Sequence, residues 1–220
     1  MLFSGDLMFS VIFDMDGTLL DTQRISIPAW DYAGNRQGVK DMGNQISFVC
    51  GMNEAGSSAY VKAKFPEIDV TVFKKDVHDY IAKNQVVRFK PGATELINFL
   101  KEYNIKTAVA SGSDYSAVRS NLLKVNAFDC FDVIVGGDSV KNGKPSPDIF
   151  LHTANMLGVS PESCLVFEDS ANGIKAAHSA GMKCIGIPDV VPFSNEIKSL
   201  CTELKSFNDA IELLKSLYFQ

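Results

Sequence analysis

The chain has 220 residues, a formal net charge of −5 and an isoelectric point near 5.2. This length suffices for one sizeable core, or for a core domain with a small appendage. The acidic balance argues against a protein that binds a nucleic-acid backbone, which needs a basic face. Because no apolar run approaches the length of a membrane span, we also expect no membrane partner.

The cysteines indicate a reducing compartment. There are five, an odd number, and none forms a C-x-x-C pair, so neither a zinc site nor a disulfide framework is predicted. Acidic Asp6 interrupts the only apolar stretch before the first strand, which is unlike a signal peptide. We therefore expect a cytoplasmic protein. Residues 217–220 (LYFQ) partly resemble the remnant of an engineered protease site, and we assign them no function.

A buried strand followed by two carboxylates begins the organised part of the chain. Residues 9–22, FSVIFDMDGTLLDT, start with an apolar run that stops at Asp14; a second carboxylate follows at Asp16, and Gly17 turns the chain. A buried parallel strand has such a nearly unbroken apolar run, and open α/β sheets bind ligands beyond the carboxyl ends of their strands. Two carboxylates this close repel each other, which favours binding of a cation or a proton.

Residues 23–87 predict a small helical domain inserted after the first strand. They contain no convincing buried strand, and helical spacing relates Phe73, Val77 and Ile81. Glycines are expected to divide the segment into short helices, at Gly34, Gly38, Gly43, Gly51 and Gly56. A local group of lysines is expected to form a solvated helix surface; it comprises Lys62, Lys64, Lys74 and Lys75.

Helices and strands alternate in the rest of the chain. Apolar runs predict four further strands, at 106–110, 133–135, 164–167 and 183–187. Alternating βα units imply a parallel sheet with helices on both faces and right-handed crossovers. The sequence therefore predicts an α/β protein with a doubly wound parallel-sheet core, formed by residues 1–22 and 88–220.

Polar side chains follow the predicted strands at the points where the strands end. They are Asp14 with Asp16, Ser111 with Gly112, Lys144 in the loop KNGKPSP, and Glu168 with Asp169. Because these strand ends share one edge of a doubly wound sheet, the groups can converge. Carboxylate oxygens with open water positions suit Mg²⁺, and a phosphoryl group could be held by the metal, the ammonium and the hydroxyl. Asp14 would then be the nucleophile and Asp16 the acid–base.

Each of these groups also has an ordinary structural explanation. A D-x-D pattern is common in turns, Ser111 could cap the next helix, Lys144 could be a surface lysine, and the acidic pair could complement a helix dipole. Considered together, the order and spacing of these groups and their positions at strand ends favour a catalytic site over these separate structural roles. The histidines lack a second ligand at metal-binding spacing, and we expect structural or surface roles for His78, His152 and His178.

The ordered motifs resemble those of the haloacid dehalogenase superfamily, in its phosphatase and β-phosphoglucomutase-like branch. DMDGT, residues 14–18, is similar to the first motif, Ser111 in VASGSD to the second, Lys144 in GKPSPDIF to the third, and FEDSANGI, residues 167–174, to the fourth. The resemblance covers essentially the whole chain. It implies a Rossmann-like core with a small α-helical cap domain, which corresponds to residues 23–87.

The resemblance also implies roles for the site residues. By similarity, Asp14 forms an aspartyl-phosphate, and Asp16 protonates the leaving group and then activates water. Ser111, with its neighbour Gly112, and Lys144 would bind the transferred phosphoryl group. The implied cofactor is Mg²⁺, bound by Asp14, the backbone carbonyl of Asp16, and Asp169, with Glu168 close by.

Within the family, the sequence favours a phosphatase over a mutase. Asp16 supplies the acid–base that the family's dehalogenases lack at this position. β-Phosphoglucomutases carry a histidine where Ser26 stands and an arginine near Glu54, and Glu54 would repel the distal phosphate of a bisphosphorylated sugar. We expect residues 51–57 to face the catalytic centre and, through Asn53 and Glu54, to select the leaving group.

The sequence thus predicts a Mg²⁺-dependent phosphatase that hydrolyses a small phosphorylated metabolite, such as a sugar phosphate, through an aspartyl-phosphate intermediate. A β-phosphoglucomutase-type mutase and a catalytically silent metabolite-binding relative remain as alternatives. A signalling receiver domain also gathers carboxylates and a lysine around Mg²⁺, but within a much shorter chain without a helical insert after the first strand. We expect a monomer, with a larger assembly left open.

Overall fold

The computed structural model describes residues 9–218, in which six strands form one parallel sheet. The strand order is β3-β2-β1-β4-β5-β6, so the first strand lies at the centre between β2 and β4. The strands are β1 Ser10–Phe13, β2 Thr107–Ala110, β3 Val133–Val135, β4 Cys164–Glu168, β5 Lys183–Gly186 and β6 Thr202–Glu203. This is the doubly wound, Rossmann-like order, and the predicted fold class is confirmed.

Ten α-helices connect and cover these strands in the described part of the chain. Five lie between β1 and β2: α1 Ser26–Arg36, α2 Ile46–Val49, α3 Glu54–Lys64, α4 Val70–Asn84 and α5 Ala93–Glu102. The others are α6 Tyr115–Lys124, α7 Asp148–Leu157, α8 Ala171–Ser179, α9 Asn195–Lys198 and α10 Phe207–Tyr218. Between residues 9 and 218, no helix is both long enough and apolar enough to cross a bilayer.

Three hydrophobic clusters hold these elements together. Successive residues of a strand face opposite sides of the sheet. Phe13 and Phe167 therefore pack with α5, α6 and α10 on one side, while Ile12 and Val166 pack with α7 and α8 on the other. The third cluster has its buried members between Ala29 and Val77, within the inserted segment. A helical unit with its own core is what a cap of residues 23–87 requires, and those boundaries stay a prediction.

The structure revises several details of the sequence interpretation. Strand β4 continues to Glu168, and the two-residue edge strand β6 was not predicted. Gly34 and Gly56 lie inside α1 and α3 rather than between helices. A side chain at Gly34 would place its Cβ 2.4 Å from Met42 Cγ, so this glycine lets the next segment pack closely on α1. The expectations for residues 1–8 and 219–220 lie outside the described residues.

The stacked pair of phenylalanines beneath the catalytic edge predicts a large stability effect. Phe13 and Phe167 are fully buried, with ring centroids 5.2 Å apart. Phe167→Ala should lower the free energy of unfolding by about 3–5 kcal/mol, because it removes apolar contacts and leaves a cavity. Urea unfolding measures this loss, and Leu123→Ala, at a position that is 44% exposed, serves as the control. Equal losses in the two variants would contradict the prediction.

Candidate active site

The catalytic candidates lie together at the carboxyl edge of the sheet. Asp14 directly follows β1, Ser111 directly follows β2, and Asp169 directly follows β4. Lys144 comes from the loop that precedes α7. Although Lys144 and Asp14 are 130 residues apart in sequence, their side chains form a buried hydrogen bond.

The ammonium group of Lys144 is the centre of the site. Its Nζ lies 2.6 Å from both Asp14 Oδ1 and Glu168 Oε1, and 3.2 Å from the carbonyl oxygen of Ala110. These three acceptors engage all three N–H donors of the ammonium. The side chain is 1% exposed. Lys144 is therefore a buried member of the site and not a surface lysine.

Three buried carboxylates lie together at this ammonium, and two of them, Asp14 and Glu168, contact it. Asp14, Glu168 and Asp169 each offer an oxygen, and these oxygens all lie within 4.8 Å of one another. Glu168 uses both of its oxygens within the protein, because Oε1 accepts from Lys144 and Oε2 accepts from the backbone N–H and hydroxyl of Ser170. Glu168 thus orients its neighbours and has little capacity left for a ligand.

Asp14 and Asp169 retain coordination capacity. Asp14 Oδ1 accepts from Lys144, and Asp169 Oδ1 accepts from the hydroxyl of Thr18 at 2.9 Å. Among the described residues, the second oxygen of each has no N–H or O–H donor, and Asp169 Oδ2 receives only the weak thiol donor of Cys50, whose Sγ lies 4.0 Å away. Gly17, at φ +87°, lies beside the free oxygen: a Cβ there would be 2.4 Å from Asp169 Oδ2. The glycine therefore keeps the space next to this oxygen open.

The cluster carries more negative than positive charge. Three carboxylates against one ammonium leave two negative charges uncompensated when all are ionised. Burial raises the pKa of Asp14 to about 7 despite the opposing effect of Lys144. Burial, reinforced by Glu168 and Asp14, also raises the pKa of Asp169. Burial would lower the pKa of Lys144, but the two carboxylates that it contacts outweigh this and raise it.

These residues fit a divalent cation with a preference for oxygen ligands. The free oxygens of Asp14 and Asp169 are hard donors, and a double positive charge matches the excess negative charge of the cluster. The Asp16 carboxylate is not part of this group. Asp16 could therefore contribute only its backbone carbonyl, as the sequence resemblance implied.

The Asp16 side chain points instead toward a set of hydroxyl groups. Its Oδ1 accepts from Thr22 Oγ1 at 2.5 Å, and its Oδ2 accepts from Ser113 Oγ at 2.8 Å and from Ser111 Oγ at 3.3 Å. Sequence reasoning did not identify Thr22 or Ser113. In the sequence, these two residues are marked only by a hydroxyl group close to a motif: Thr22 follows the DMDGT motif, and Ser113 follows Ser111.

A cavity of about 530 Å³ lies between these groups and the inserted helices. Asp14, Asp16 and Ser111 line it from the sheet edge, and the inserted segment contributes Glu54 and Lys74, among others. Glu54 and Lys74 form an ion pair. The sequence suggested that Lys74 belongs to a solvated lysine surface, but this residue lines the cavity and pairs with Glu54.

The structure bears on two further expectations for the inserted segment. His78 is exposed, in agreement with a surface role, and it also lines the cavity. Asn53, expected to face the leaving group, does not line the cavity. It is buried, and its Oδ1 accepts from the N–H of Gly56 at 2.9 Å, which caps α3. Gly112 does line the cavity, beside Ser111.

Comparison with known proteins agrees with this geometry. The family model for haloacid dehalogenase-like hydrolases matches residues 10–181. The phosphorylated carbohydrates phosphatase of Thermotoga maritima is 35% identical over 183 residues, which is 81% of this chain and 84% of the relative. The β-phosphoglucomutase of Bacillus subtilis is 32% identical over 191 residues, with 82% and 83% covered.

A solved structure supports the same fold. A hydrolase from Pseudomonas syringae superposes with a TM-score of 0.84 at 24% identity, covering 95% of this chain and 99% of that one. The chain belongs to the haloacid dehalogenase-like hydrolase family, in the branch that contains phosphatases and β-phosphoglucomutases. Its relatives named as phosphatases are consistent with a phosphoric monoester hydrolase.

The raised pKa of Asp14 predicts how the stability of the metal-free protein depends on pH. Because the folded-state pKa of about 7 exceeds the ordinary value of 3.8, the stabilising contribution of this carboxyl group is present at low pH and is lost as the pH rises through this interval. In chelator, the urea midpoint should therefore contain a component that falls between about pH 4 and about pH 7. Asp14→Asn should remove that component.

The matched control for this measurement is Asp129→Asn, which changes an exposed carboxylate on the surface. This variant should keep the wild-type dependence on pH. A wild-type slope in Asp14→Asn would show that the carboxyl group does not take up a proton in this range.

Proposed function

We propose that this protein is a Mg²⁺-dependent phosphatase that hydrolyses a small phosphorylated metabolite, with Asp14 as its nucleophile. The observation that carries the proposal is the position of Asp14 on the cavity wall. One of its oxygens is held by Lys144, and the other has no N–H or O–H donor among the described residues. An aspartate in this position can attack a phosphorus atom while the lysine orients it and opposes the rise in its pKa that burial causes.

In the proposed first half-reaction, a carboxylate oxygen of Asp14 forms a bond to phosphorus as the bond from phosphorus to the leaving oxygen breaks. Asp16 donates a proton to that oxygen, which departs as an alcohol. Ser111 and Gly112 are proposed to bind the phosphoryl oxygens through a hydroxyl and a backbone N–H, and Lys144 is proposed to attract them through the positive charge of its ammonium. When bound by Asp14, Asp169 and the Asp16 carbonyl, Mg²⁺ supplies electrostatic stabilisation of the phosphoryl charge.

In the second half-reaction, Asp16 accepts a proton from a water molecule that attacks the aspartyl-phosphate. Inorganic phosphate leaves, and the carboxylate of Asp14 is restored. The hydroxyl groups around Asp16 support this double role. Thr22 and Ser113 hold its carboxylate on the cavity wall, away from the three buried carboxylates.

The chemistry of the cavity favours a phosphatase over a mutase. No arginine lines it among the described residues. The positive charge of Lys74 is matched by Glu54, so the cap surface offers little net attraction to a second phosphate group. Carboxylate and ammonium groups side by side suit a neutral, hydroxyl-rich leaving group. The name of the Thermotoga maritima relative supports a carbohydrate phosphate as substrate.

A panel of small phosphomonoesters with Mg²⁺ tests the proposal and the mutase alternative together. β-Glucose 1-phosphate is included with a trace of the 1,6-bisphosphate, and both inorganic phosphate and sugar isomers are measured. We expect phosphate release that is abolished by chelator and by Asp14→Asn, because the amide cannot act as the nucleophile. Substantial hydrolysis by Asp14→Asn would contradict nucleophilic catalysis. Glucose 6-phosphate formed without phosphate release would identify a mutase.

The proton-donor role of Asp16 has its own test. Asp16→Asn should lower kcat by roughly 10²–10⁴-fold for an alkyl phosphate, the usual contribution of general acid–base catalysis. The formation of the aspartyl-phosphate should be affected least for an activated aryl phosphate, whose leaving group needs no proton. Burst kinetics in rapid quench experiments measure this step separately from hydrolysis. An equal loss for both substrates in this step would argue against leaving-group protonation by Asp16.

A further inference from the structure

The inserted segment reaches the catalytic core through a short stretch, residues 48–53, which we call the cap loop. Asn172, near the start of α8, holds this loop by two hydrogen bonds. Its Nδ2 donates to the carbonyl oxygen of Cys50 at 2.9 Å and to that of Phe48 at 3.3 Å. These bonds join a side chain of the core to the backbone of the cap loop, across more than one hundred residues of sequence.

Two core glycines leave room for the same loop. A Cβ on Gly112 would lie 2.6 Å from the carbonyl oxygen of Met52, and a Cβ on Gly143 would lie 2.5 Å from Asn53 Cγ. Neither glycine has a positive φ, so backbone conformation does not require a glycine at either position. The absence of a side chain there instead permits the close approach of the cap loop.

The contacts of the cap loop fall next to the catalytic groups. Gly112 adjoins Ser111, Gly143 adjoins Lys144, and Asn172 lies three residues beyond Asp169. The loop also covers the site, since Cys50 is buried and its Sγ lies 4.0 Å from Asp169 Oδ2. Seating of the loop therefore excludes water from the site and braces the loops that carry the reacting groups.

We propose that Asn172 and Gly143 are positioning residues for the reaction. Among the described residues, neither forms a hydrogen bond to the carboxylates of Asp14 or Asp169. Asn172 holds the backbone of the cap loop, and Gly143 receives the side chain of Asn53. Together they stabilise the arrangement in which the cap loop is seated on the core, and loss of either shifts the protein toward an arrangement with the loop lifted.

The thiol of Cys50 reports this equilibrium, because it is 7% exposed while the loop is seated. Asn172→Ala should speed labelling of Cys50 by a maleimide roughly tenfold, the scale expected for the loss of two hydrogen bonds. Mass spectrometry of peptides separates this cysteine from the others. Asn155→Ala, at an exposed asparagine of α7, is the control and should label like the wild type.

Kinetics provide a second readout. Asn172→Ala should lower kcat/KM for phosphate release by roughly tenfold, while the pH dependence set by the Asp14 and Asp16 machinery is retained. The kinetic readout rests on the proposed phosphatase activity, whereas the thiol readout does not. Faster labelling in a protein without phosphatase activity would therefore count against the proposed function alone.

A double-mutant cycle tests the seat of Asn53 on Gly143. Gly143→Ala should also speed labelling of Cys50 in the wild-type background, because the new Cβ would push against the Asn53 side chain. In the Asn53→Ala background the clashing atoms are gone, so the further effect of Gly143→Ala should be much smaller. If the effects of the two substitutions on the labelling rate simply add, Gly143→Ala acts independently of the Asn53 side chain. That result would overturn the proposed role of Gly143.

Unchanged labelling in Asn172→Ala would overturn the proposal as a whole. Thermal unfolding of each variant shows whether it remains folded. If Gly143→Ala does not fold, the comparison of Asn172→Ala with Asn155→Ala decides the matter. Asn172 lies at the start of α8, and within residues 9–218 its side chain forms hydrogen bonds with the cap loop alone.

Discussion

The ammonium group of Lys144 faces more negative charge than it can neutralise, and the rest of the site depends on this imbalance. Burying carboxylates is costly unless they are paired, and here Asp14 and Glu168 share the ammonium of Lys144 while Asp169 beside them has no ion pair among the described residues. Glu168 is satisfied by Lys144 and by donors at the start of α8. The deficit therefore falls on Asp14 and Asp169, the two residues with oxygens to spare. A fold that retains such a deficit is suited to a divalent cation and, through it, to an anionic phosphoryl group.

The sheet topology makes this concentration of charge possible. Strand β1 lies between β2 and β4, so the segments after these three strands meet at one edge. Each strand is short and buried, which leaves an apolar run that stops at a polar residue. That simple signal is why the core strands, the fold class and the meeting of Asp14, Ser111 and Lys144 could be predicted from the sequence.

Other features could not be predicted, because they depend on how the inserted segment approaches the core. Nothing local marks Ser113 or Thr22 as partners of Asp16, and both roles arise only when the chain returns to the catalytic edge. Asn53 has the pattern of a helix cap as well as that of a substrate contact, and only packing separates the two. Lys74 resembles its solvated neighbours in sequence, yet it turns toward the cavity and pairs with Glu54.

Phosphoryl transfer to a buried carboxylate imposes two opposed requirements on such a site. Under the proposed mechanism, substrate must reach Asp14, and water must be kept out until Asp16 can direct it. Movement of a cap resolves this conflict only if closure also restores the exact spacing of the reacting groups. The contacts of the cap loop lie beside Ser111, Lys144 and Asp169 and meet that condition. The loops that carry these proposed site residues are the same loops on which the cap loop packs. Gly112 and Gly143 must then remain small because the cap loop packs against them. In the proposed mechanism they support catalysis by admitting this loop, and they take no part in bond making or breaking.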